Sequence, residues 1–268
     1  MMAGGGLQGL PRTALITLRA RADEGQHPRA LFADAQAVDW LKQLGWPTDY
    51  DAIYTAALQT SFAVRTRLID DAVQAQLKAG QVAQVLDLGA GLSTRYSRLG
   101  QPPLPWIELD LPDVITLRRR LEEESDRHRF VGQSLLDPNW LAALGSFSNK
   151  RTLIIAEGVL LFLPPQGVQQ LFKSLRAAFS GAPIVVDIAG GLTEKRTAPR
   201  FAQVDAPMRW FAEDETDLAR LGVSIEQVWP TLESFPARWG DLFRAPSAAL
   251  RNTALVTIGH LQSLSQLK

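Results

Sequence analysis

Three features of the chain predict an α/β fold, a doubly wound sheet with helices on both faces. Apolar runs of strand length recur from Gln84 onward, helical segments separate them, and a glycine-bearing turn follows the first run. The runs are apolar nearly throughout rather than alternating, as strands are when helices cover both faces of a parallel sheet.

Residues 1–80 read as helices that cap this sheet. Leu31, Ala35, Val38, Leu41 and Leu44 fall at i, i+4, i+7, i+10 and i+13, the stripe of an amphipathic helix that Gly45 and Pro47 end. Ile69, Val73 and Leu77 mark a second helix, closed by Gly80. Strands are then expected at Gln84–Leu88, Trp106–Leu109, Arg129–Val131, Leu153–Ala156 and Ile184–Ile188. Helices over Asp113–Ser125 and Gln166–Ser180 lie between them, the latter with Val168, Leu171, Phe172, Leu175 and Phe179 on one face. Val223–Trp229 and Ala254–His260 supply the last strands. The polar, proline-punctuated stretch 193–217 reads as a lid inserted above the carboxyl edge of the sheet. Together, 1–268 read as one domain with a cap (1–80) and a core (81–268), and the glycine run at the start reads as frayed.

Composition excludes several classes of function. The chain has 268 residues, 28 basic and 28 acidic, so its formal net charge is zero, and it has no cysteine. Disulfides, thiolate metal sites and cysteine nucleophiles are therefore absent. Three scattered histidines, His27, His128 and His260, form no HExxH zinc helix, and no metal is expected. Balanced charge argues against a nucleic-acid footprint. No apolar run approaches the roughly 18 residues of a membrane span. The start lacks the charged region and long apolar core of a signal peptide. A cytoplasmic location is expected, with no nucleic-acid or membrane partner.

The sharpest local signal is Asp87-Leu88-Gly89-Ala90-Gly91, directly after the first strand. Glycines there let the backbone turn tightly and approach a ligand, and a following helix would aim its positive end at the bound group. A dinucleotide fingerprint needs a third glycine at position 94, where the chain has Thr94. Asp110 ends the next strand, about 20 residues on, where a carboxylate accepts hydrogen bonds from ribose hydroxyls. Adenosine without a pyrophosphate fits both facts, and S-adenosyl-L-methionine is the usual such ligand. Two plainer readings stay open: the glycines serve only the turn, and Asp110 only caps the helix beginning near Pro112. Arg65 is placed either to fork onto the methionine carboxylate or to lie on the surface. Glu157 follows the apolar run Leu153-Ile154-Ile155-Ala156. A charge there needs a partner, so it faces a ligand or joins a structural salt bridge.

Four segments in order give the chain a specific resemblance. They are Phe62-Ala63-Val64-Arg65-Thr66-Arg67-Leu68-Ile69-Asp70-Asp71, Gln84-Val85-Leu86-Asp87-Leu88-Gly89-Ala90-Gly91-Leu92-Ser93-Thr94-Arg95, Glu108-Leu109-Asp110-Leu111-Pro112 and Ala156-Glu157-Gly158-Val159-Leu160-Leu161-Phe162-Leu163-Pro164. The sequence resembles the leucine carboxyl methyltransferase family of class I S-adenosylmethionine-dependent methyltransferases, most of all its bacterial branch linked to polyketide O-methylation. The resemblance implies a Rossmann-like, mostly parallel sheet. It also implies that Arg65 binds the cofactor carboxylate, that Gly89, Ala90 and Gly91 contact the methionine moiety, and that Asp110 takes the ribose. Ser134 and Leu135 would flank adenine, and Glu157 would lie near the amino group. The chain departs from the family at Ser93 and Ser134, where aspartate is usual, and at Phe162, often tyrosine. These departures bear on cofactor affinity and substrate orientation.

The function so implied is O-methylation of a carboxylate or hydroxyl on a small molecule such as a polyketide-type metabolite. Two other readings are a cofactor-binding protein without turnover and a methylase of a partner protein's C-terminal carboxylate. An NAD dehydrogenase is the rival outside this family. No catalytic residue is assigned, because an ionised carboxylate acceptor needs no base and positioning supplies the rate, whereas a hydroxyl acceptor would call on Asp or Glu. Arg118-Arg119-Arg120 before Glu122-Glu123-Glu124 reads as a solvated helix face, and Trp210 and Trp229 as core packing or an aromatic acceptor pocket.

Overall fold

The computed structural model describes residues 5–145, 151–242 and 254–263. Its centre is a seven-stranded sheet of β1 (Gln84–Leu88), β2 (Trp106–Asp110), β3 (His128–Gly132), β4 (Thr152–Ala156), β5 (Pro183–Ala189), β6 (Val223–Pro230) and β7 (Ala254–Leu261), in the order β3-β2-β1-β4-β5-β7-β6. β1 to β5 pair in parallel, and β7 runs antiparallel between β5 and β6. Every predicted strand is present within a residue or two of its expected bounds. Strand order reverses between β1 and β4, so the cleft favoured for ligands opens at their carboxyl ends.

Alternate strand residues serve opposite faces, which is why the runs read as continuously apolar. Leu86, Leu88, Ile107 and Ile154 pack with Val168, Leu171, Phe172 and Leu175 of α6 (Pro165–Ala178). Val85, Trp106, Leu153 and Ile155 pack with Val64, Leu68, Ile69 and Val73 of a long N-terminal helix on the other face.

That helix, α3 (Ala56–Lys78), extends well upstream of the predicted stripe. Thr55 caps it by accepting the Leu58 N–H, and its first half buries Ala63, Val64, Arg65 and Thr66 on more than one side, so no stripe marks it. The same reason hides α1 (Ala14–Glu24), whose Leu15, Ile16, Leu18, Ala20 and Ala22 are all buried. α2 (Ala35–Leu44) follows the predicted stripe except for Leu31, because Asp34 caps the helix by accepting the Ala37 N–H. Leu7, Leu15, Leu18, Trp40 and Leu44 pack against Leu92 and Leu117, so the N-terminal helices sit on the loop after β1. The expected fraying of the opening glycine run lies outside the described residues as far as Gly4, and Gly5 and Gly6 form a turn that leads to the buried Leu7.

α4 (Arg95–Arg98) has four residues, so the helix expected to aim its positive end at a ligand is not there. α5 (Pro112–Arg118) stops seven residues short of the expected end, because the chain must turn back into β3. Ser125 and Glu124 make that turn by accepting the His128 and Phe130 N–H groups. The arginine–glutamate run is only partly a solvated face. Arg119 pairs with Glu124 there, but Arg118 is fully buried between Glu108 at 2.5 Å and Glu122 at 3.1 Å. Glu108 is buried in β2 and needs a cation, which draws Arg118 inward.

Between β5 and β6 lie α7 (Gly191–Arg196), α8 (Ala198–Ala202) and α9 (Thr216–Arg220). Arg209 donates its N–H to Leu161 O, and Ala212 donates to Ala189 O, so this segment crosses the carboxyl ends of β4 and β5. α10 (Pro236–Trp239) returns to the N-terminal helices, where the buried Arg238 bonds Glu24 at 2.8 Å, Gln59 and Thr60. Trp210 and Trp229 pack against the two core clusters. Among the described residues, no helix is long and apolar enough to cross a membrane.

Candidate active site

The loop after β1 is held by its own backbone. Gly89 and Ala90 donate N–H groups to Leu109 O at 2.7 and 3.2 Å, which ties the loop to β2. Gly89 has φ +62°, and a Cβ there would lie 2.4 Å from Val159 Cγ2. Only glycine fits. Gly89→Ala is expected to lower the unfolding free energy by about 1–3 kcal/mol in urea titration, the cost of a side chain forced into this region.

Asp110 joins the loop to the next helix. Its Oδ2 accepts the Gly91 N–H at 2.6 Å, and its Oδ1 accepts the Leu111 N–H at 2.6 Å. The carboxylate thus bridges two elements instead of capping α5 in the usual way. Burial raises its pKa to about 6, against the opposing pull of these two N–H groups. Each oxygen keeps a lone pair for a further donor.

Arg65, from α3, is buried rather than on the surface. It donates from Nε to Glu157 Oε1 at 3.0 Å and from Nη1 to Asp187 Oδ2 at 3.3 Å. Glu157 also accepts from Thr66 and contacts Arg95 Nη2 through Oε2. Burial alone would raise its pKa, but Arg95, Arg65 and Arg21 hold it well below the usual carboxylate range. Glu157 therefore satisfies both sequence readings: it belongs to an ion-pair network, and it lines the cleft.

All eight predicted site residues, Arg65, Gly89, Ala90, Gly91, Asp110, Ser134, Leu135 and Glu157, line one cavity of about 330 Å³. Ser134 sits in the turn after β3, where its Oγ accepts the Leu136 N–H at 3.2 Å. The same cavity is lined by Leu10, Pro11, Phe62, Phe162, Phe201 and Met208, an apolar set in which the Phe62 ring lies 4.9 Å from the Arg65 guanidinium carbon. At Phe162, the ring packs 6.3 Å from that of Phe201. A second cavity of about 540 Å³ lies beyond Phe201, with Arg196 and Arg200 among its walls, and contains none of the predicted residues. Trp210 and Trp229 line neither cavity, which leaves core packing as their role.

The sequence reading missed several charged groups at this cavity. Arg95 is buried among Asp70 at 2.8 Å, Asp87 at 3.0 Å and Glu157. Burial, with Glu108 and Glu157 nearby, pushes Asp87 up to about 7 despite Arg95. Arg21, lowered to about 10 by burial against the pull of Asp34, donates to Leu92 O at 2.5 Å. Asp187 was detectable by the signal that marked Glu157, a charge within an apolar strand. Arg21 and Arg95 carry no such local mark.

Sheet order, antiparallel seventh strand and cleft position define the class I methyltransferase fold. A family model described as leucine carboxyl methyltransferase matches residues 14–176, more than half of the chain, and the chain belongs to that family. It is 34% identical over 179 residues to the tetracenomycin polyketide synthesis O-methyltransferase TcmP of Streptomyces glaucescens, covering 66% of this chain and 65% of that one. The chain spans between about half and two thirds of the length of the curated relatives it matches. A Thermobifida fusca structure with a provisional methyltransferase assignment shares the fold at TM-score 0.63 and 16% identity, covering 96% of each chain. A DUF574 family protein of Streptomyces avermitilis shares it at TM-score 0.63 and 15% identity, with 91% of this chain and 97% of that one covered.

Proposed function

We propose that the protein is an S-adenosyl-L-methionine-dependent O-methyltransferase acting on a small molecule, a carboxylate or acidic hydroxyl of a polyketide-type metabolite. The observation that carries this reading is that one cavity gathers a polar set, the glycine loop with Arg65, Asp110 and Glu157, together with an apolar set of Phe62, Phe162, Phe201 and Met208. The polar set fits the cofactor. Asp110 has acceptor capacity for two ribose hydroxyls, Gly89 lets the loop pack against Val159 where a Cβ would collide, and Arg65 offers a guanidinium to the methionine carboxylate. Ser134 and Leu135 would flank adenine, and Gly89, Ala90 and Gly91 the methionine chain. Glu157 would sit near the amino group.

Held there by these residues, S-adenosylmethionine would supply the methyl group of its sulfonium to an acceptor oxygen, with S-adenosylhomocysteine as the leaving product. The protein's residues orient and desolvate. The aromatic side chains exclude water and hold a flat, apolar acceptor beside the polar set. No histidine lines the cavity, and its carboxylates are engaged by arginines or backbone N–H groups. An acceptor oxygen that arrives already ionised needs no base from these residues. The segment crossing the ends of β4 and β5, with Phe201 and Met208, serves as the lid, and the N-terminal helices serve as the cap. A cytoplasmic location belongs to the same reading.

Calorimetric titration tests it. S-adenosylhomocysteine is expected to bind and NAD is not; NAD binding without S-adenosylhomocysteine would overturn the assignment. Affinity should also depend on pH. Ribose hydroxyls donate to ionised Asp110, so binding favours the form present above its pKa of about 6. Affinity should hold above pH about 7 and fall by up to about tenfold per unit as pH drops through about 6. In Asp110→Asn that component of the slope should be absent, and an unchanged slope would separate Asp110 from the ribose.

A further inference from the structure

We propose that Asp187 is a positioning residue that sets Arg65 for the carboxylate end of the cofactor, an inference that rests on the methyltransferase reading. Asp187 is the single charge in the apolar β5 run Ile184-Val185-Val186-Asp187-Ile188-Ala189, and it is 3% exposed. It is not part of the cavity wall. Its two oxygens have separate tasks: Oδ1 accepts the Gly158 N–H at 2.5 Å, and Oδ2 accepts Arg65 Nη1 at 3.3 Å.

Arg65 is thereby fixed from several directions. Glu157 holds Nε from the end of β4, Asp187 holds Nη1 from β5, and the Phe62 ring lies 4.9 Å from the guanidinium carbon. The backbone of Gly158 lies against the end of the fork. With φ +67°, it would place a Cβ 3.2 Å from both Nη1 and Nη2, so the backbone can lie against the fork only as glycine. This leaves Nη2 without a protein partner among the described residues. A long side chain that is free to rotate loses binding to conformational entropy, and one locked before the ligand arrives does not. Asp187 supplies that lock twice, directly at Nη1 and indirectly by fixing the turn at Gly158. Burial raises the pKa of Asp187 while Arg65 lowers it, as befits a buried carboxylate that depends on one guanidinium.

The test compares two ligands. S-adenosylhomocysteine carries the amino-acid moiety, whereas 5′-methylthioadenosine keeps adenosine and sulfur but lacks it. Calorimetry on the wild type, Asp187→Asn and Asp187→Ala is expected to show S-adenosylhomocysteine weakened at least fivefold in the asparagine variant and more in the alanine variant. Methylthioadenosine affinity should stay within twofold in both, which also reports that the cleft has folded. In an Arg65→Lys background, Asp187→Asn should cause no further loss, because its effect passes through Arg65. Unchanged or tighter S-adenosylhomocysteine binding would show that Asp187 only competes for Arg65. Equal loss of both ligands would show general damage, and either result overturns the proposal. Failure of the wild type to bind S-adenosylhomocysteine would instead strike the methyltransferase reading.

Discussion

Arg95→Met is expected to lower the unfolding free energy by about 3–5 kcal/mol, the usual cost of breaking a buried ion pair from one side. Arg95 is fully enclosed and faces carboxylates from α3, β1 and β4, namely Asp70, Asp87 and Glu157. Arg98 also holds Asp70, and Arg65 also holds Glu157, but Asp87 has Arg95 as its only ion-pair partner among the described residues. Without Arg95, Asp87 must be buried as an unpaired charge or take up a proton. Against a total of about 5–15 kcal/mol for a typical domain, the loss is large. It should also depend on pH. The folded pKa of Asp87, already raised to about 7, rises further in the variant, so the folded state binds more protons than the unfolded one from roughly pH 4 to beyond pH 7. Stability of Arg95→Met should therefore fall as pH rises through that window and recover toward pH 5. Urea titrations at pH 5 and 7 measure this, and an unchanged midpoint at both would refute the role assigned to Arg95.

Arg65→Ala is expected to weaken S-adenosylhomocysteine binding by about 10–100-fold. A hydrogen bond to a charged group contributes about 1.5–3 kcal/mol, and 1.4 kcal/mol is tenfold in affinity. The truncation also removes the arginine partner of Asp187 and one of the two arginines that pair with Glu157. Asp110→Ala should weaken binding by a similar factor through the ribose. Methylthioadenosine separates the two: its affinity should fall with Asp110→Ala and hold with Arg65→Ala. Unchanged S-adenosylhomocysteine affinity in both variants would remove the cofactor assignment.

The central strands β1, β4 and β5 were legible because each is largely apolar and buried over its full length, as burial on both faces requires, whereas edge strand β6 is mixed and half exposed. The cleft was legible because a glycine turn, a strand-end carboxylate and a strand-end glutamate each announce themselves within a few residues. What stayed hidden is tertiary. α1 and the first half of α3 are buried on several sides, so they lack the stripe that periodicity detects. α5 ends early because the chain turns back into β3, in a turn held by Ser125 and Glu124, and Arg118 is buried by its pairing with Glu108 on another element. Arg65 and Asp187 are 122 positions apart, and Arg21 reaches a carbonyl 71 positions away. No local pattern encodes such pairs.

The placement of β7 has a consequence for the order of synthesis. β7 lies between β5 and β6, so the edge of β5 stays unpaired until residues 254–261 have left the ribosome. Glu24 likewise waits for Arg238, 214 positions later in the chain. A nascent chain that has emerged only as far as β5 therefore presents an apolar strand edge of the kind that recruits foreign strands. The interval between the emergence of β5 and that of β7 is when the protein most needs a chaperone.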